Sequence, residues 1–204
     1  MIIPLHDPAR PDAGLHLAYG QAWLPAPEAD FAPGTVTVAW SPTTLHVHAD
    51  LVDRDCFNPR KGHNQRHYLT GDVFEIFLRD PRVETYHEFH VTPDNAQLIL
   101  CFPSSEIFFA TAKGDHDRFL VPSIHGSHLA SRVEVADGRW RIWAAVPLAP
   151  IAEDRGLSVS DELLASFSRY DYTRGRAKPV VSSCSPHREE RFHDQRDWLR
   201  LRLG

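Results

Sequence analysis

The chain has 204 residues, a formal net charge of −5, and 42% hydrophobic and 24% charged residues, which is an ordinary composition for a globular protein. Acidic and basic residues are interspersed, so the charge pattern predicts no nucleic-acid partner. No apolar run is long enough to span a bilayer, and residues 1–14 lack the apolar core segment of a signal peptide. We therefore expect no membrane partner and a cytoplasmic location.

Cysteine usage agrees with that location. Cys56, Cys101 and Cys184 are widely spaced, odd in number and in no paired motif. Such a pattern is typical of reduced thiols and not of a disulfide framework.

Short segments of alternating apolar residues predict β-strands along most of the chain. In chain order these segments are residues 35–40, 45–52, 72–78, 85–91, 97–102, 129–135, 140–146, 164–172 and 198–203. Turn residues at 41–43, 93–95 and 137–138 separate neighbouring segments. Helical turns are expected only at 149–153 and 161–164.

Many short strands separated by turns favour an all-β fold. We predict an antiparallel two-sheet β-sandwich, jelly-roll or immunoglobulin-like, with long loops and little helix. It should form a single domain over residues 1–204. Trp140, Trp143 and Trp198 are assigned to its core.

Carboxylates lie in two neighbouring predicted strands. Residues 71–78 read GDVFEIFL, with apolar residues on both faces of the strand and Glu75 in its middle. Because burying an unpaired carboxylate costs several kcal/mol, Glu75 is expected to pair with a buried cation or to line a polar pocket. In the next segment, residues 86–91 (YHEFHV), alternation places Glu88 and His90 on one face.

The order of these motifs resembles the family-9 carbohydrate-binding modules and their DOMON-like relatives. The resemblance runs from about residue 43 to the C terminus. It is carried by GDVFEIFL (71–78), YHEFHV (86–91), the turn TPDN (92–95), WRIWAAVPL (140–148), SFSRY (166–170), SSCSP (182–186), the Phe192-His193 pair and WLRL (198–201).

The resemblance implies a ligand cleft in which two tryptophans clamp a terminal sugar while charged and amide groups bond its hydroxyls. Glu75 matches the carboxylate of the first motif strand, and Arg169 matches the arginine after the late phenylalanine. Tyr68 lies close to the position of the first clamp aromatic. We therefore expect a small sugar or glycan end to bind Glu75, Glu88, His90 and Arg169 without catalysis, with Tyr68 at the rim.

The second half of the clamp departs from the family pattern. Cys184 stands where relatives often have a tryptophan, and His187, Phe192 and His193 are the candidates to replace it at the rim. This departure keeps two alternatives open. One is a structural or interaction domain that has lost the sugar site, and the other is an uncharacterised metal-dependent enzyme.

No cofactor is expected. Sugar-binding relatives carry structural calcium, for which the loop 50–55 offers carboxylates, whereas cytochrome relatives use methionine to bind haem and the only methionine here is Met1. His46 and His48 share a strand face, but no third zinc ligand accompanies them.

An enzymatic function has little support in the sequence. It contains no nucleophile elbow, phosphate loop or dinucleotide fingerprint. Glu75 and Glu88 would be the carboxyl pair of a glycosidase. A buried structural ion pair between Glu75 and Arg169 is the alternative to a ligand-binding role for these two residues.

Overall fold

The computed structural model describes residues 1–10, 13–112, 114–124, 126 and 128–204. Regular structure in these residues consists of strands, one short α-helix and three 3-10 turns, and none of the helices is long and apolar enough to cross a membrane. The strands are β1 (Ile2–Ile3), β2 (Leu15–Ala18), β3 (Gly34–Ser41), β4 (Thr44–Val52), β5 (Val73–Arg79), β6 (Tyr86–Val91), β7 (Gln97–Phe102), β8 (Ala130–Ala136), β9 (Arg139–Pro147), β10 (Glu162–Asp171), β11 (Val180–Ser183) and β12 (Leu199–Leu203). The helix is α1 (Ser105–Ala110), and the 3-10 turns are His67–Leu69, His116–Phe119 and Gln195–Asp197.

The strands form two sheets, which confirms the predicted antiparallel sandwich. A seven-stranded sheet has the order β1-β12-β10-β5-β6-β7, and β11 pairs with β10 along the same edge as β12. A five-stranded sheet has the order β2-β3-β4-β9-β8. Neighbouring strands are antiparallel except β1 and β12. The main core fills the space between the two sheets.

Most strands lie where alternation predicts them. The turn between β8 and β9 is also where the sequence predicts it. Asp137 and Gly138 both have positive φ (55° and 69°), which is the backbone conformation that a two-residue hairpin turn needs. The helical turn expected at 161–164 is wrong, since β10 begins at Glu162 and the burial of both its faces hides the period of two. Strands β1, β2 and β11 and helix α1 were not predicted; α1 begins where the Ser104 hydroxyl accepts from the Ile107 amide.

One of the three core tryptophans is placed differently from the prediction. Trp140 and Trp198 are buried, but Trp143 lies on the outer face of the five-stranded sheet. Three positions separate it from Trp140, so it points to the opposite face. Its ring stacks on the His48 ring, with the centroids 4.7 Å apart. The Arg132 guanidinium carbon lies 3.7 Å from the centroid of the Trp143 ring.

A buried arginine ties the two sheets together. Arg169 on β10 lies opposite Phe74 and points into the space between the sheets, where it is 1% exposed. One terminal nitrogen, Nη2, lies 2.9 Å from Asp53 Oδ2 and 3.0 Å from Asp171 Oδ2, and Nη1 donates to the Val52 carbonyl at 2.8 Å. Because Val52 ends β4 in the other sheet, the guanidinium bridges both layers.

We expect Arg169→Ala to lower the free energy of unfolding by about 3–5 kcal/mol, because it leaves the Asp53 and Asp171 carboxylates buried without their cation. Urea denaturation measures the loss. Arg200→Ala is the matched control, since Arg200 is exposed and pairs with Glu162 at 3.3 Å, and we expect a change within about 0.5 kcal/mol. Equal losses in the two variants would contradict a special role for the buried pair.

His87 makes stability depend on pH. It lies on β6 with its ring 6.0 Å from that of Phe89, and its Nδ1 atom is buried without a hydrogen-bond partner. Burial lowers the pKa of His87 to about 4. Since an unfolded histidine titrates near about 6.5, its contribution to stability is present above that pH and is lost as the pH falls towards 4.

Replacing His87 with leucine should remove this dependence. Between pH 6.5 and 5, we expect the wild-type chain to lose about 2 kcal/mol more stability than His87→Leu, because unfolding takes up one proton fewer in the variant. Urea denaturation at both pH values gives the comparison. A difference between the two proteins that stays constant with pH would show that folded His87 protonates as freely as an unfolded histidine.

Candidate functional site

Polar side chains occupy the centre of the outer face of the seven-stranded sheet. Glu75 on β5 lies opposite His90 on β6 and Ser168 on β10. Because alternate residues of a strand share a face, Glu88 and Ser166 lie on that face too. All five residues are at most 4% exposed. We call Glu75, Glu88, His90, Ser166 and Ser168 the polar floor.

A single imidazole joins the two carboxyl groups of the floor. His90 Nε2 lies 2.5 Å from Glu88 Oε1 and 3.3 Å from Glu75 Oε1. Burial, together with the nearby Glu88, raises the pKa of Glu75 well above its usual range. Burial also acts to raise the pKa of Glu88, but His193 and the hydrogen-bonded His90 outweigh it and lower that pKa. The pKa values of the two carboxyl groups are thus shifted in opposite directions, and Glu75 keeps its proton to a higher pH than Glu88 does.

His193 extends the network above Glu88. Its Nε2 atom lies 3.6 Å from Glu88 Oε2, and its Nδ1 atom lies 2.8 Å from the Tyr86 hydroxyl. Its ring stacks on Phe108 with the centroids 3.4 Å apart. Burial lowers the pKa of His193 to about 4, so its ring is neutral at pH 7. Glu88 Oε2 is buried and has no hydrogen-bond partner among the described residues.

Hydroxyl groups form the other half of the floor. The Ser183 hydroxyl on β11 lies 3.2 Å from each of the Ser166 and Ser168 hydroxyls. Ser166 also contacts His187 Nε2 at 3.1 Å. His187 is 1% exposed, and burial lowers its pKa. The Ser166 and Ser168 hydroxyls of the floor thus have hydrogen-bond partners among neighbouring side chains.

Aromatic rings border the floor in a continuous row. Tyr68 meets His90 edge-on at 5.7 Å and lies 6.1 Å from Tyr170. Tyr170 lies 6.1 Å from Phe192, which lies 5.9 Å from Trp23. Phe192 is buried, and the other three rings are half-buried. We call Tyr68, Tyr170, Phe192 and Trp23 the aromatic rim.

The rim and its neighbours close the floor to solvent. Phe108 of α1 and Phe119 of the 3-10 turn that follows it pack against the same cluster of buried apolar residues as the rim. A ligand that reaches Glu75, Glu88 and His90 must therefore displace aromatic side chains. Once it does, the floor offers two carboxyl groups and an imidazole within one small area.

The structure brings most of the predicted site residues together and leaves one out. The residues that meet at the floor or its rim are Tyr68, Glu75, Glu88, His90, His187, Phe192 and His193. Arg169 does not join them. It follows Ser168 by one position, so its side chain points to the opposite face of β10, where it pairs with Asp53. The alternative, an ion pair between Glu75 and Arg169, therefore does not form.

Sequence reasoning missed two rim residues. Tyr170 follows Ser168 by two positions, so alternation along β10 would have placed it on the floor's face. Trp23 lies in the loop after β2, and its ring reaches the rim through Phe192. No sequence pattern relates this loop to the loop of Phe192, more than a hundred residues later.

Cys184 lies away from the rim. Its backbone amide donates to the Phe167 carbonyl at 3.0 Å, and its side chain packs against the main core between the sheets. Burial raises the pKa of its thiol. Phe192, eight residues later, brings an aromatic ring to the rim.

The carboxylates that the sequence offers for a structural calcium ion are engaged by arginines. Each of the three in the loop 50–55 faces a guanidinium: Asp50 pairs with Arg139, Asp53 with Arg169 and Asp55 with Arg174. Calcium sites need several unengaged oxygen ligands around one ion. These residues therefore do not fit a calcium site as the structure arranges them.

Comparisons with known proteins give similarity in structure alone. No family model and no curated protein sequence matches the chain significantly. The fold is similar to a family-9 carbohydrate-binding module from Caldicellulosiruptor kristjanssonii, solved with cellotriose (TM-score 0.66, 12% identity, 100% of this chain and 94% of that chain). The same family is represented by a structure from that organism in complex with glucose (TM-score 0.66, 12% identity, 100% and 96% covered).

A second organism provides a further similar structure. It is a protein from Bacteroides uniformis that is provisionally named a carbohydrate-binding protein (TM-score 0.72, 13% identity, 100% of this chain and 98% of that chain). Each alignment spans the whole chain at 12–13% identity, a level at which the likeness concerns backbone architecture. The protein thus has the two-sheet sandwich fold of the family-9 carbohydrate-binding modules.

Proposed function

We propose that this protein is a non-catalytic carbohydrate-binding domain that holds a small sugar or glycan end on the polar floor. The observation that carries the proposal is the pairing of buried hydrogen-bonding groups with an adjacent row of aromatic rings on one sheet face. Other proteins support the proposal, because modules of the same fold have been solved in complex with cellotriose and with glucose.

The chemistry of the floor suits vicinal hydroxyls. Each hydroxyl is both a donor and an acceptor; the lowered pKa of Glu88 favours an accepting carboxylate, and the raised pKa of Glu75 favours a donating carboxylic acid. Hydrogen bonds to an ionised group are about twice as strong as neutral ones, so Glu88 should contribute most to affinity. Tyr68 and Tyr170 would cover the apolar C–H face of the ring, as half-buried aromatic side chains do at binding surfaces.

A specific observation favours a second candidate, an interaction domain that has lost sugar binding. Glu75, Glu88 and His90 are at most 4% exposed, and their hydrogen bonds are made within the protein. A floor that is closed to solvent and already bonded internally at Glu75 and His90 is what such a domain would have. Direct binding measurements separate the two candidates.

We expect Glu88→Gln to weaken sugar binding at least tenfold, about 1.4 kcal/mol, because it replaces the charged acceptor with a neutral amide of the same size. Thermal-shift measurements against a panel of mono- and disaccharides and cellotriose identify the ligand, and calorimetry then gives its dissociation constant. A ligand at a hundred times that constant adds about 2.7 kcal/mol of stability, which such a panel detects.

Glu134→Gln provides the control, since Glu134 is half-exposed on β8 in the other sheet, where it pairs with Arg141. It should leave the dissociation constant unchanged. Unchanged binding in Glu88→Gln would exclude the floor as the sugar site. The interaction-domain candidate would be favoured if the wild-type chain showed no shift with any saccharide.

A further inference from the structure

We propose that Glu75, Glu88, His90 and His193 form a binding site for a divalent transition-metal ion of the Zn²⁺ class. The ligand atoms of Glu75, Glu88 and His90 all lie within 4.8 Å of one another. His193 reaches the same place from the loop before β12, with Nε2 3.6 Å from Glu88 Oε2. Two carboxylates and one imidazole thus form a compact group, and a second imidazole, that of His193, lies beside its Glu88 member.

The spacing of these atoms is close to that of a metal site. Four ligands at about 2.0–2.2 Å from a tetrahedral ion lie about 3.3–3.6 Å from each other. Glu75 Oε1 and His90 Nε2 are 3.3 Å apart, and Glu88 Oε2 and His193 Nε2 are 3.6 Å apart. The contact between His90 and Glu88, at 2.5 Å, is a hydrogen bond that an ion would replace and lengthen.

Charge and hydrogen bonding also point to a cation. Glu88 is 4% exposed, and its Oε2 atom faces the cluster with no hydrogen-bond partner. Among the described residues, the ion pairs of Glu75 and Glu88 are with histidines, and neither has an arginine or lysine partner. A buried carboxylate without a cation is costly, and a divalent ion would neutralise both acids.

The surroundings of His193 are those of a metal ligand. Its Nδ1 atom lies 2.8 Å from the buried Tyr86 hydroxyl, so an Nδ1–H group would donate to that oxygen and leave Nε2 free for the ion. Stacking on Phe108 fixes the plane of the ring. A set of two imidazoles and two carboxylates favours Zn²⁺, Co²⁺ or Mn²⁺ over Ca²⁺ and Mg²⁺, which prefer oxygen ligands alone.

The inference does not depend on the proposed sugar binding. The metal is titrated into the chain without any saccharide, and the saccharide panel is repeated in EDTA. A chain that binds no metal could therefore still bind a saccharide, and a chain that binds no saccharide could still bind the metal.

Cobalt is the probe, because tetrahedral Co²⁺ absorbs visible light. The tag-free chain is stripped with EDTA, dialysed and titrated with Co²⁺ and then with Zn²⁺ as competitor. We expect one Co²⁺ per chain with tetrahedral absorption that Zn²⁺ abolishes, and at least tenfold weaker binding in Glu88→Gln and in His193→Phe. Circular dichroism establishes that both variants fold.

His46→Ala is the matched control, since His46 stacks on His6 on the outer face of the other sheet. It should bind Co²⁺ as the wild-type chain does. The absence of stoichiometric Co²⁺ binding by the wild-type chain would overturn the proposal. Co²⁺ binding that survives in both Glu88→Gln and His193→Phe would also overturn it, as would Co²⁺ binding that is lost in His46→Ala.

Discussion

The candidate site follows from the burial of the central strands on both faces. Every residue of β6, and every residue of β5 before Arg79, is buried. A polar side chain on either face is therefore removed from water and needs a partner within the protein. On the inner face, Arg169 of the neighbouring β10 is enclosed by Asp53, Asp171 and the Val52 carbonyl, whereas His87 Nδ1 has no hydrogen-bond partner among the described residues. On the outer face one imidazole, that of His90, serves two carboxyl groups.

Two carboxyl groups that share one histidine cannot both be ionised without a large cost. Burial and the nearby Glu88 raise the pKa of Glu75 while the pKa of Glu88 is lowered, so the two groups release their protons at different pH values. This separation bears on both proposed roles. A sugar hydroxyl is served by one acid and one carboxylate side by side, whereas a metal ion needs both groups ionised and must release the proton on binding. Under the two proposals, the same pair would serve either a sugar or a metal ion, and the metal would compete with protons for the carboxylates.

Alternation explains what the sequence could and could not predict. It placed Glu88 and His90 on one face and predicted the hairpin of β3 and β4, since a period of two is visible wherever one face is apolar. The family resemblance, and not alternation, placed Arg169 in the cleft beside Glu75, whereas its side chain lies on the opposite face of β10 from Ser168. Alternation could not predict the full aromatic rim, for a different reason. Trp23 and Phe192 reach it from loops, and such contacts depend on tertiary packing that no local pattern encodes.

The cover over the floor is the least buried part of the site. Neither α1 nor the 3-10 turn at His116–Phe119 contains a buried residue, while the strands beneath are buried throughout. Local opening is governed by how much apolar surface a segment buries and not by how deep the atoms below it lie. Lifting Phe108 and its neighbours therefore costs less free energy than disturbing any strand of the sheet. A floor that is closed in the free protein is for this reason compatible with a ligand site, and the cost of opening the cover lowers the affinity of whatever binds there.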